Sequence, residues 1–225
     1  MSVIEKASNF GNPFIGIFAK TNDDITFVGN GVSDKFMGRL VQLKTDIVRM
    51  SVLDCDLIGL YSVVNSKGLL VAPMFSAAEI GAVKKMVGNR IRIETLKTKL
   101  TAIGNNVVAN DFGAIVNPEM SETEIAKVKD VLGVEVVRSK IAGYSTVGAV
   151  VIATNSGFAA HPKASPEELD LLASVLHVHG GVGTMNNGVP FPGISAIANK
   201  KSFVAGESTT GYELGRINDC LGFMD

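Results

Sequence analysis

A nucleophilic site in this chain would depend on its two cysteines and three histidines, so few residues are candidates for such chemistry. A catalytic cysteine needs a neighbouring base and an electropositive setting that favours the thiolate. Cys220 stands beside Leu221 in an apolar helical stripe, and Cys55 follows a predicted strand. Both positions are typical of small packing residues. The cysteines therefore predict no catalytic residue.

The histidines are candidate metal ligands. His177 and His179 alternate in the segment Leu-His-Val-His-Gly, and on a strand two such residues would share one face and could hold a metal. A third ligand at a suitable spacing is missing, so no metal site is predicted. His161 stands before a proline at the end of a predicted strand and is interpreted as a hydrogen-bonded edge residue.

Four glutamates each follow a hydroxyl residue by three positions. The pairs are Ser76 with Glu79, Ser121 with Glu124, Ser165 with Glu168, and Thr210 with Glu213. Four carboxylates could form an acidic ring. The spacing is, however, that of a capping box, in which each side chain binds a backbone N–H of the other residue. It therefore predicts four helix starts. A fifth hydroxyl residue, Ser33, is followed by Phe36 instead of glutamate.

These helix starts belong to a repeat that is anchored on glycines 43 to 45 residues apart. The anchors are Gly16, Gly59, Gly104, Gly148 and Gly193. Six residues after each anchor stands a turn-forming residue, which is Asn22, Asn65, Asn110, Thr154 or Asn199. Apolar runs on both sides of the turn predict a β-hairpin, for example 57–64 with 69–72 and 147–153 with 158–160.

A helix and a third strand complete each unit. Apolar residues recur at helical spacing after each capping site, as at Ile80, Val83 and Val87. Three glycines at one shared position, Gly88, Gly133 and Gly222, predict helix ends. A third strand is predicted at 91–93 and at 134–137. The unit is therefore β-β-α-β.

The units start near residues 14, 57, 102, 146 and 191, and together they predict a single domain over residues 1–225. The fifth unit has no third strand after its helix, whereas residues 2–12 precede the first hairpin and belong to no unit. We expect residues 2–12 to supply the missing strand. The predicted fold class is α+β, a closed ring of five β-β-α-β units with pseudo-five-fold symmetry, which is an α/β propeller.

Composition limits the classes of function. Hydrophobic residues make up 46% of the chain and charged residues 19%, which argues against disorder. The formal net charge is -1, so binding through neutralisation of many phosphates is not expected. Two cysteines suit a reducing compartment, and neither a signal peptide nor a membrane span is evident. We expect a cytoplasmic protein.

A ring of five such units resembles the pentein fold, which is shared by guanidino-modifying enzymes and by the translation initiation factor 6 family. Local motifs are similar to the second group, and its archaeal form fits best. The similar motifs are Ala102-Ile103-Gly104-Asn105, Asn65-Ser66-Lys67-Gly68, Asn110-Asp111, Asn155-Ser156-Gly157, His161-Pro162-Lys163, and Thr209-Thr210 with Glu213-Leu214.

The resemblance implies a monomeric ribosome anti-association factor without a catalytic residue or a cofactor. Such a factor binds the large ribosomal subunit at ribosomal proteins near the sarcin-ricin loop, makes limited contact with rRNA, and blocks the small subunit sterically. Two alternatives stay open at this point. One is a guanidino-modifying hydrolase, and the other is an interaction module that does not bind the ribosome.

The residues around the anchor glycines are the candidate ribosome-binding residues. Asn105 and Asn106 are poor strand formers that interrupt an apolar pattern, which indicates a local functional demand. The resemblance points to the same end of the ring. The predicted contact residues are Gly16, Leu60, Asn105, Asn106, Val150 and Phe191.

Overall fold

The computed structural model describes residues 5–223, and within them the chain forms five three-stranded sheets with helices between them. The mixed α+β class is thereby confirmed. The strands are β1 Glu5–Ala7, β2 Ala19–Thr21, β3 Ile25–Gly29, β4 Asp46–Met50, β5 Ser62–Val64, β6 Gly68–Val71, β7 Arg92–Thr95, β8 Val107–Ala109, β9 Gly113–Val116, β10 Glu135–Arg138, β11 Val151–Ala153, β12 Phe158–Ala160, β13 Gly180–Val182, β14 Ala196–Ala198 and β15 Phe203–Gly206.

The helices fall into a long and a short class. The long ones are α1 Asp34–Leu40, α3 Ala77–Val87, α5 Glu122–Leu132, α7 Pro166–Leu176 and α9 Gly211–Cys220. The one-turn helices are α2 Ile58–Tyr61, α4 Ile103–Asn106, α6 Val147–Val150 and α8 Pro192–Ser195, and the 3-10 helices are Ile15–Ile17 and Val41–Leu43.

Each sheet combines an antiparallel hairpin with a parallel third strand. In the second sheet Val63 is opposite Leu70 across the hairpin, and Leu69 is opposite Ile93 on the third strand. The third strand is parallel because the long helix carries the chain back along the sheet. In the fifth sheet this place is taken by β1, where Glu5 is opposite Val204 of β15. Residues 2–4 of the segment assigned to this role lie outside the described residues.

The long helices begin as the capping spacing predicts. Complete capping boxes are present at α3, α5, α7 and α9, formed by Ser76, Ser121, Ser165 and Thr210 with their glutamates. Ser33 caps α1 by accepting from Phe36 N, and no reciprocal bond is possible there because phenylalanine has no acceptor. The helix with the incomplete cap has seven residues, whereas the four boxed helices have ten or eleven.

Each long helix buries its stripe between two neighbouring sheets. Val128 and Leu132 of α5, for example, pack with Leu70 of the preceding unit and Val116 of their own.

Gly88, Gly133 and Gly222 all have positive φ, as predicted for helix ends. His177 occupies the same place in the fourth helix, with φ of 51°. His177 and His179 therefore do not share a strand, because His177 ends α7 and β13 begins only at Gly180.

The first strands are shorter than predicted. Segments 57–64 and 147–153 begin with one helical turn each, and only Ser62–Val64 and Val151–Ala153 are strands. A short apolar run has no periodicity that separates helix from strand. The first strands of neighbouring units contact one another, and β14 of the fifth unit also contacts β2 of the first.

Candidate functional site

The five anchor glycines lie in the helical turns that begin the units, and these turns contact one another. A β-carbon on Gly59 would overlap the carbonyl oxygen of Gly16, and one on Gly16 would overlap that of Gly193. Gly104, Gly148 and Gly193 stand in the same relation to the preceding anchor. Only glycine allows this approach of backbone to backbone. We call the surface formed by these turns the glycine end.

The surface of the glycine end is apolar and carries no charge at the positions that flank the anchors. The residue after each anchor is Ile17, Leu60, Asn105, Ala149 or Ile194, and the residue two before it is Phe14, Leu57, Ala102, Thr146 or Phe191. Nine of these ten are half-buried, and Ala149 is buried. Asn105 is the one side chain among them with an amide. The arrangement is suited to contact with another macromolecule rather than to catalysis.

Five of the six predicted contact residues lie in these turns and Phe191 directly precedes the fifth turn, but the six differ in exposure. Leu60, Asn105 and Phe191 are half-buried. Gly16, Asn106 and Val150 are buried, and their burial favours a role in packing the turns.

Asn106 has a structural explanation for its place in the sequence. Its Nδ2 donates to Ala102 O over 2.9 Å, and its Oδ1 accepts from Asn117 Nδ2 over 2.7 Å. Asn117 Oδ1 in turn accepts from Glu119 N over 2.9 Å. The polar residue at 106 therefore completes a buried network, whereas Asn105 faces the surface.

An aromatic cluster flanks the glycine end. The Tyr144 ring lies 5.2 Å from that of His161 and 5.4 Å from that of Phe191, measured between centroids. His161 is buried, and its Nδ1 accepts from Lys163 N over 3.0 Å. Burial, and then the positive charge of Lys163, lowers the pKa of His161, which favours a neutral packing residue. Tyr144 is 40% exposed and was missed by the sequence analysis, because no motif marked it.

Tight turns project beside four of the five helical turns, six residues before the anchor. They are closed by bridges between Asn9 and Asn12, Val52 and Cys55, Ile141 and Tyr144, and Met185 and Val189, and we call them the rim turns. Phe10 and Leu53 at their tips have φ of 49° and 48° and are 78% and 71% exposed. Large apolar residues rarely adopt this left-handed conformation, so these tips are both strained and open to solvent.

Three of the four capping glutamates hold rim turns as well as helices. Glu79 accepts from Leu53 N over 3.1 Å, and Glu168 accepts from Ala142 N over 2.9 Å. Glu213 accepts from Gly188 N over 2.7 Å. Burial alone would raise the pKa of Glu213. The hydrogen bonds that Glu213 accepts from Thr210, Gly188 and Thr184 outweigh this effect and lower its pKa to about 2. The sequence spacing revealed the capping role and gave no sign of this second one.

The opposite ends of the first strands form a polar surface, which we call the asparagine end. Asn65 Nδ2 donates to Leu132 O over 2.8 Å and to Asn110 O over 3.2 Å. Asn22, Asn110 and Asn199 make corresponding bonds to the next unit. Beside them Asn155 Nδ2 donates to both Asp23 and Asp111 over 2.7 Å. The four asparagines thus bind backbone carbonyls, and Asn155 binds two carboxylates, so these polar side chains are satisfied within the protein.

The two cysteines lie apart from any feature of a nucleophilic site. Cys220 is buried in α9 as predicted, and burial raises the pKa of its thiol, the reverse of what activation requires. Cys55 is half-buried at the base of a rim turn.

Among residues 5–223 there is no group of three or more His, Cys, Asp or Glu that could hold a metal ion. No helix in that range is long and apolar enough to cross a bilayer.

Comparison with known proteins supplies the family. A family model described as the eIF-6 family matches residues 4–220. The chain is 34% identical to a translation initiation factor 6 of Thermococcus onnurineus, with 99% of both chains covered. It is 36% identical to one of Picrophilus torridus, with 97% of this chain and all of the relative covered. A third relative, from Pyrococcus abyssi, is 35% identical over 98% of this chain and 99% of its own.

Proposed function

The chain belongs to the eIF-6 family, and we propose that this translation factor binds the large ribosomal subunit and blocks the small subunit sterically. The observation that carries the proposal is the glycine end. It is an apolar surface without charged residues beside the anchors, and it is built from turns that pack backbone against backbone at the glycines. An uncharged patch of this kind fits a protein partner better than a phosphate backbone.

We further propose that the five units close into a ring with pseudo-five-fold symmetry, as in penteins, and form a single domain over residues 1–225. Two observations support this. The chain of glycine contacts that begins at Gly16 comes back to it from Gly193, and β1 pairs with β15 in the fifth sheet. A ring would give the factor one broad, flat end, which is the shape that steric blocking of a subunit requires.

The proposed contacts use the half-buried residues of the glycine end. Leu60, Asn105 and Phe191 would touch the partner, while the buried Gly16, Asn106 and Val150 would hold the turns in place. The partner surface would be ribosomal protein near the sarcin-ricin loop, with little rRNA contact. The net charge of -1 agrees with this choice, because an RNA-binding factor gains most of its affinity from positive charge.

Sedimentation with purified archaeal large subunits in a sucrose gradient tests the proposal. Asn105→Arg places a charged, bulky side chain in the apolar face and is expected to weaken binding by at least about tenfold. Ser66→Arg is the matched control, because Ser66 is exposed at the asparagine end. It should bind like the wild-type chain. Equal loss in both variants, or no co-migration of the wild-type chain, would contradict the proposal.

The salt dependence of the same assay separates protein contact from RNA contact. We expect affinity to fall only modestly between 50 and 200 mM salt, whereas several phosphate contacts would reduce it by about a thousandfold or more. Adding small subunits to the complex then tests the blocking step. The factor should lower the fraction of joined subunits at saturation, and Asn105→Arg should lower it less.

We propose no catalytic activity, and a monomeric cytoplasmic protein without a cofactor. The guanidino-modifying alternative would require a reactive thiol, and the raised pKa of the buried Cys220 argues against one. Cys220→Ala should therefore leave subunit binding unchanged. An interaction module outside the ribosome would share the fold, and failure to sediment with large subunits would favour it.

A further inference from the structure

A narrow channel runs between the first strands of all five units. It is lined by β2, β5, β8, β11 and β14 together with Gly148 and Gly193, and it has a volume of about 50 Å³. Space for one water molecule is roughly 10–15 Å³ on this measure, so the channel holds a few waters or one small ion with part of its hydration. The side chains that line it are almost all Ala, Val, Ile and Gly.

Lys20 is the exception among the described residues that line the channel, since it is the only charged one. The other four units have an aliphatic residue at its position four after the anchor, which is Val63, Val108, Ile152 or Ile197. Each of these belongs to a buried cluster. The first unit therefore places an ammonium group where its counterparts place a buried methyl group.

The Lys20 ammonium makes no hydrogen bond or ion pair within residues 5–223. The Lys20 side chain is half-buried, and the residue lies in the lining of the channel. The nearest carboxylate along its strand is already engaged, because Asp23 accepts from Lys200 N and from Asn155 Nδ2 and pairs with Lys200 Nζ. Asp111 is likewise bound to Ser66 N and Asn155. Neither carboxylate is available to Lys20.

A half-buried ammonium without a carboxylate partner is stabilised by a counter-ion that reaches it through the channel. Desolvation by burial lowers the pKa of Lys20 to about 8, so the amine still carries its proton at neutral pH. The need for a negative partner thus persists under ordinary conditions. The first strands add donors, because each lies at the edge of its sheet and leaves one row of backbone N–H groups unpaired by the ladder.

We propose that the channel binds one small, monovalent inorganic anion of halide size against the Lys20 ammonium. A single positive charge selects a single negative one, and no other charged side chain in the described lining would hold a second. The volume excludes bulky organic anions. The bound ion would neutralise the one charge that faces the channel and thereby stabilise the contacts among the first strands.

Thermal unfolding of the full chain tests the site at constant ionic strength, with sodium gluconate replaced stepwise by sodium bromide. The wild-type midpoint should rise by roughly 3–6 °C at ten times the dissociation constant. Lys85→Met, which removes an exposed lysine of α3, should show the same rise. Lys20→Met keeps the side-chain length without the charge, and its midpoint should not respond to the exchange.

A crystal of the wild-type chain grown in bromide gives a readout that needs no variant. The anomalous map should show one bromide in the channel within about 3.5 Å of Lys20 Nζ. If Lys20→Met fails to fold, Lys20→Val, which copies the residue of the other units, replaces it in the unfolding series. The proposal is overturned if wild type and Lys20 variant respond equally, or if the channel contains water alone.

Discussion

The glycine end and the asparagine end terminate the same five strands, yet they achieve contact between units by different means. At the glycine end backbones approach so closely that no side chain fits between them. At the asparagine end side-chain amides bridge the gap, as Asn110 does to Thr154 O and Leu176 O. The first solution consumes no polar side chain and leaves an apolar surface. The second uses side-chain amides for the bonds between units and leaves a polar surface, with Ser66 and Lys200 exposed.

This difference explains why one end is the better candidate for docking. A protein interface forms most readily on a surface that has a low desolvation cost and is already ordered. The half-buried Ile17, Leu60 and Ile194 meet that requirement, and the rim turns extend it with Phe10 and Leu53. The exposed residues of the asparagine end include charged side chains such as Asp24 and Lys200, which are more costly to dehydrate. The following experiments test the comparison, in order of expected size.

The largest effect is expected for Gly104→Val. Its β-carbon would overlap Gly59 O, which is a backbone atom and not the flexible end of a side chain. We expect a loss of more than about 4 kcal/mol in the free energy of unfolding, or no folded protein at all. Urea denaturation measures it. Gly81→Ala is the matched control, because a β-carbon there meets nothing within 4 Å in α3 and should stabilise by roughly 0.5–1 kcal/mol.

Acid should loosen the rim turn that Glu213 holds before the hairpin turn that Asn110 holds. The pKa of Glu213 is lowered to about 2, so its contribution is complete above pH 4.5 and is lost as pH falls towards 2. The shift corresponds to at most about 3 kcal/mol. Hydrogen exchange at pH 5 and pH 3 should show protection falling at Asn187 and Gly188, which bind the carboxylate.

The amide-bonded N–H groups of Phe112 and Gly113 provide the internal control, since Asn110 does not titrate. Their protection should change little over the same range. A Glu213→Gln chain should show the weaker protection of the rim turn at both pH values. Equal loss at the two ends would mean that acid unfolds the molecule globally.

Asn110→Ala tests the side-chain bridges of the asparagine end. The substitution removes donors to Thr154 O and Leu176 O and leaves these buried carbonyls without this partner. We expect destabilisation of about 2 kcal/mol, measured by urea denaturation, with subunit binding of the folded chain unchanged. Thr154→Ala should have a smaller effect of about 1 kcal/mol, because the Thr154 hydroxyl bonds only within its own turn.

The smallest effect is expected for Leu53→Asn, and it should have opposite signs in two assays. Asparagine tolerates the left-handed backbone at this tip better than leucine does, so stability should rise by about 0.5 kcal/mol. Subunit binding should weaken if the rim turns belong to the docking surface, because an exposed apolar contact is lost. A gain in stability with unchanged binding would restrict that surface to the helical turns.

Much of the architecture was readable because it depends on local signals. The capping pairs such as Ser76 with Glu79 identified four long helices, and the helix-ending glycines were found with positive φ. The predicted site residues were brought into one set of turns. The predicted extent of the first strands was wrong for a local reason as well. Apolar runs such as 147–153 contain a helical turn that periodicity does not reveal.

The sequence by itself determined the repeat, the capped helices, the hairpin turns and the position of the anchor glycines, since each is set by residues a few places apart. Only the tertiary structure decided which members of the predicted site reach the surface. Asn105 and Asn106 are neighbours in the chain, yet one faces solvent and the other satisfies Asn117, because a helical turn points successive side chains in different directions. Contacts between units likewise gave Glu213 and Lys20 environments that no local pattern encodes.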